Sequence, residues 1–140
     1  MLRMYNYNLE TGTVGTNDEN IANILYNINR MEMDKDFSSS DIKELDETLG
    51  DLYFMIADSK VHLNRFLEIF NKNVNAGTVN TVVSALDEAM KSVREVRLKI
   101  RAKEDSNAED MCVVFSEVYK NLLHIVPDIL ALDNQAVGRV

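Results

Sequence analysis

The sequence predicts an all-α protein: a mostly antiparallel four-helix bundle preceded by an extended amino-terminal arm. Three observations carry this. From residue 17 onward apolar residues recur at intervals of three and four, the spacing of one helix face. The connections between these runs are short, which suits neighbouring antiparallel helices. Period-two alternation is confined to Tyr5, Tyr7 and Leu9, ahead of Gly12 and Gly15. The chain therefore divides into an arm (1–15), a bundle (16–135) and a short tail (136–140). A globular all-α fold wrapped around the fourth helix is the alternative arrangement.

Each helix has its own signature. The first is expected to start at Thr16, with Glu19 completing a capping box, and its apolar stripe is Ile21, Ile24, Leu25, Ile28 and Met31. Ser38, Ser39 or Ser40 caps the second, the longest at about 45 Å. Its seam runs Ile42, Leu45, Leu49, Leu52, Ile56, Leu63, Phe66 and Phe70, a heptad pattern in which Ser59 takes one position. Gly50 lies beside that seam, where a missing side chain permits close packing. Gly77 supplies turn freedom and Thr78 a cap for the third helix, whose seam is Val79, Val82, Leu86, Ala89, Val93, Val96 and Ile100. Ser106 and Glu109 form a capping box for the fourth. There Met111, Phe115, Val118, Leu122, Ile125, Ile129 and Leu132 make a seam, while Val113, Val114, Leu123, Val126 and Leu130 spread apolar surface over other faces. Pro127 has no N–H to donate, so a kink is expected between Leu123 and Pro127.

Composition narrows the function classes. A chain of 140 residues is one domain's worth, long enough to bury roughly 70% of its unfolded surface. With Cys112 as its one cysteine, it forms no internal disulfide framework, and a reducing compartment such as the cytoplasm is expected. No stretch is apolar for the length of a bilayer, and the first fifteen residues lack the apolar region of a signal peptide. Many Asn, Asp and Ile residues without Trp are compatible with an AT-rich viral, phage or bacterial genome.

The residue patterns argue against most catalytic and metal chemistries. A di-iron bundle needs Glu-x-x-His pairs, but Ser59 precedes His62 at that spacing and Asn121 precedes His124. Asp58 with His62, and His124 with Asp128, are four apart and read as local hydrogen-bonded pairs rather than a metal site. Cys112 and His124 would stand about 18 Å apart on one straight helix, too far to act as nucleophile and base. No glycine-rich phosphate loop follows a strand, and no residue pattern asks for a cofactor or metal. The stretch "LDETLGDLYF" has the Gly-Asp pair of the death motif of apoptosis regulators, but Asp46 stands where that motif needs leucine, so no partner is taken from it.

One charge feature stands out. Residues 91–103 carry six bases and one acid, leaving −13 for the rest of a chain whose net charge is −8. Lys91, Arg94, Arg97 and Arg101 share a band beside the seam, where helix two offers Asp41, Glu44, Glu47, Asp51 and Asp58 as partners. Internal pairing is the expectation. Anion or nucleic-acid binding by this band is the alternative, weakened because no aromatic residue lies between Phe70 and Phe115 for base stacking. The functional expectation is a non-enzymatic interaction or assembly protein that binds another protein, a second copy of itself included, without membrane contact. Tyr5, Tyr7, Tyr119, Leu123, Val126 and Leu130 are its expected interface residues. An enzyme without a recognisable motif is the remaining alternative.

Overall fold

A computed structural model describes residues 18–33, 42–101 and 108–137. They form five helices: α1 (Glu19–Met33), α2 (Ile42–Phe70), α3 (Ala76–Arg101), α4 (Ala108–His124) and α5 (Val126–Ala136). Among the described residues there is no strand. Outside them lie the arm with Tyr5 and Tyr7, Thr16, the serines at 38–40 and Ser106, as do the side chains of Arg101 and Cys112.

At the start of α1 the cap is Asp18. Its Oδ1 accepts the Asn20 N–H at 2.8 Å, and its carbonyl accepts the Ala22 N–H at 3.1 Å. All five stripe residues of α1 are buried. Asn27 flanks the stripe, and its Nδ2 donates to Ser59 Oγ at 3.1 Å and to Asp58 Oδ2 at 3.0 Å on α2. Asn20 Oδ1 lies 3.0 Å from His62 Nδ1, and His62 Nε2 lies 3.3 Å from Asp58. Ser59 therefore breaks the α2 seam for a reason: its buried hydroxyl donates to the Met55 carbonyl and receives Asn27. Partner numbers rise along α1 as they fall along α2, so these two helices run in opposite directions.

The turn after α2 is set by Asn75 rather than Thr78. Asn75 Oδ1 accepts the Thr78 N–H at 3.1 Å, which makes Asn75 the N-cap and places Gly77 in the first helical turn. A Cβ at Gly77 would come within 3.0 Å of that capping oxygen, so the glycine leaves room for the cap. The Asn75 N–H in turn donates to Gln135 Oε1 at 2.7 Å, tying the far end of α5 to this turn. Among the described side chains of α3 the buried ones are Val82, Leu86, Ala89 and Val93.

The expected kink is a break. Pro127 cannot donate to the Leu123 carbonyl, the Ile125 N–H turns back to Leu122 at 3.2 Å, and α5 restarts with Pro127 in its first turn. The surplus of apolar faces on the fourth rod is covered in part by its own chain, while Val113 stays exposed. Tyr119 is 9% exposed and Val126 2%, while Leu123 and Leu130 are half-buried against the core. Of the four residues expected at an interface, Tyr119 and Val126 are thus covered within the chain, while Leu123 and Leu130 keep part of their surface. One contiguous core draws on all five helices.

The α1–α2 polar contacts generate a stability prediction. Replacing Asn27 by Ala should cost roughly 1–3 kcal/mol, because Ser59 and Asp58 both lose a donor. Adding Ser59→Ala should then cost less than it does alone, a non-additivity readable by denaturant unfolding of the single and double variants.

Candidate interaction surface

The side chains of the basic band answer to their neighbours on α2. Arg97 Nε donates to Asp46 Oδ1 at 2.9 Å, with both side chains about three-quarters covered. The guanidinium lies across Gly50, where an added Cβ would stand 3.2 Å from its Cζ, Nη1 and Nη2. The close packing expected at Gly50 is made by an arginine side chain. Further along, Lys60 of α2 pairs with Asp87 of α3, the reverse polarity. Partner numbers again rise on one helix as they fall on the other, so α2 and α3 also run in opposite directions.

Internal pairing therefore holds for Arg97, but its acid is Asp46, outside the set expected. Lys91 and Arg94 are exposed and make no ion pair among the described residues. Tyr53, Arg94, Arg97 and Leu98 enclose a shallow hollow of about 90 Å³. An aromatic ring does stand beside the band, supplied by α2. The ring comes from another helix, so the spacing of helix three does not encode it.

Among the described residues the most exposed large apolar side chains are on α2 and α3. On α2, Phe54 is 70% and Ile69 66% exposed, with Val61 between them, within a band about 80° wide at 100° per residue. On α3, Leu98 is 55% exposed. Exposed acids on α2, Glu47 and Asp51, flank Phe54, and the exposed bases Lys91 and Arg94 precede Leu98. A large exposed aromatic within such a patch is what a partner surface needs at its centre.

For catalysis the described residues offer less. No group of three His, Cys, Asp or Glu side chains among them is placed to hold a metal ion. Asp58 and His62 meet, but both ring nitrogens already face oxygens, and the neighbouring Ser59 hydroxyl is buried and engaged. No described helix is long and apolar enough to cross a membrane.

The stacking of Arg97 on Gly50 has a measurable consequence. Gly50→Ala should stabilise the protein by about 1 kcal/mol in an Arg97→Ala background, the ordinary helix preference. In the parent the gain should be distinctly smaller, because the guanidinium must move by a few tenths of an ångström; equal gains in thermal unfolding would show that Arg97 does not cover Gly50. Compared with known proteins, the chain matches no family model, no curated protein and no solved structure, so its functional reading rests on this geometry.

Proposed function

We propose that the chain is a non-enzymatic interaction or assembly protein that associates with a second copy of itself through the outward face of α2 and the adjoining edge of α3. The observation that carries this reading is the exposure of Phe54, Val61 and Ile69 along one face of α2, with Leu98 exposed on the neighbouring helix. Burying such side chains is worth roughly 1.5–3 kcal/mol each before ordering costs. Charge supports self-pairing. A two-fold axis lays one face on its own copy, so Glu47 and Asp51 of one protomer can meet Lys91 and Arg94 of the other. The lone cysteine favours work in a reducing compartment such as the cytoplasm.

A second reading has one observation in its favour. Tyr53 beside Arg94 and Arg97 gives the basic band an aromatic neighbour, as single-stranded nucleic acid would use. Against it, Arg97 is committed to Asp46, and acids border the patch.

Light scattering separates the two. The parent should show twice the monomer mass at tens of micromolar, a concentration typical of modest interfaces. Phe54→Asp with Leu98→Asp should give monomer with an unchanged helical spectrum, since both side chains are exposed. A parent that stays monomeric while binding single-stranded DNA in a salt-sensitive way, lost in Lys91→Gln/Arg94→Gln, would replace the first reading by the second.

A further inference from the structure

A second surface lies between α3 and α4, away from the α2 face. Because α3 presents Ala85, Ala89 and Ser92 there, the two helices leave an open groove of about 630 Å³. It follows α3 from Ser84 to Lys99, about four helical turns. Its floor is apolar, with Ala89 and Val118 buried and Ala85, Val96 and Val114 half-buried. Its rim is acidic. Glu88 and Glu95 stand two turns apart on α3 and Glu117 on α4, all exposed and in no ion pair among the described residues. Lys99 is the sole basic side chain of the lining, at one end.

We propose that this groove docks a basic amphipathic helix of another protein. An apolar floor about four turns long, between two helices, fits the apolar stripe of a third helix. Small side chains on α3 let that helix approach closely. The three carboxylates select lysine or arginine on its flanks, and Lys99 favours one direction of entry. A second copy of this chain is the poorer occupant, because its one basic stretch, residues 91–103, already packs Val93 into its own core. The proposal goes beyond self-association, and its surface shares no residue with the patch at Phe54 and Leu98.

The probe is a fluorescein-labelled, amidated helical peptide of about four turns, leucine and alanine on one face and lysines on its flanks, followed by fluorescence anisotropy. Saturable binding is expected. Glu88→Gln/Glu95→Gln/Glu117→Gln should weaken it about tenfold, the sum of three screened ion pairs. Ser92→Phe, which fills the groove without removing charge, should weaken it at least as much. Three neutralised acids elsewhere, Glu47→Gln/Asp51→Asn/Glu68→Gln, should leave it unchanged, as should Phe54→Asp/Leu98→Asp. The proposal is overturned if the distant triple variant loses as much affinity as the groove variant, which would show attraction to net charge alone. Full binding by Ser92→Phe, or equal binding of a peptide with glutamate in place of lysine, would also overturn it. A monomeric parent that still binds the peptide leaves the groove standing and removes only the α2 reading.

Discussion

The lie of Arg97 across Gly50, anchored on Asp46, fixes how α3 rests on α2, and most of the surface follows from that register. A five-residue turn capped by Asn75 sets one end of the pair, and the arginine sets the other. Between them Lys60 meets Asp87. With the register held at three points, Phe54 and Leu98 have no place in the core and remain outside, while the small residues of α3 are turned toward α4. A glycine in a long helix costs about 1 kcal/mol relative to alanine. Here that cost gives a guanidinium a flat bed against the backbone, and with it a partly buried ion pair whose geometry a side chain at position 50 would disturb.

The two candidate surfaces arise from opposite features of the same bundle. On α2 the side chains are too large and too outward to be covered by a single chain. Along α3 they are too small to fill the space beside α4. Both conditions leave apolar surface in contact with water, and both surfaces carry charges not paired within the described chain. The polar side chains that do meet, at Asn20, Asn27, Asp58, Ser59 and His62, hold α1 to α2.

Much of the architecture was legible in the sequence because heptad spacing reports burial directly. The stripe of α1 and the described part of the α2 seam lie where their spacing placed them, and Ser59 is buried as a seam residue despite its hydroxyl. Caps were less legible. Several Ser, Thr, Asn and Asp residues crowd each boundary, and the choice of Asn75 over Thr78 depends on where α2 stops. For helix four the spacing left open whether its wide apolar surface is covered by its own chain or by a second one; Pro127 marks the end of α4, and Tyr119 and Val126 are buried within the chain. The pairing of Arg97 with Asp46, and the ring of Tyr53 beside Arg94, are contacts between helices, and no periodicity within one helix encodes them.

The central claim is that the most exposed large apolar side chains of the described fold are those of α2 and α3, and that Tyr119, Leu122, Val126 and Ile129 of the fourth rod are buried within their own chain. Methyl NMR over a dilution series tests it most directly. The Val61, Ile69 and Leu98 resonances should shift with concentration while those of Leu122, Val126 and Ile129 stay fixed. Concentration-dependent shifts at Leu123, Val126 and Leu130, with Val61 and Leu98 unmoved, would contradict the account.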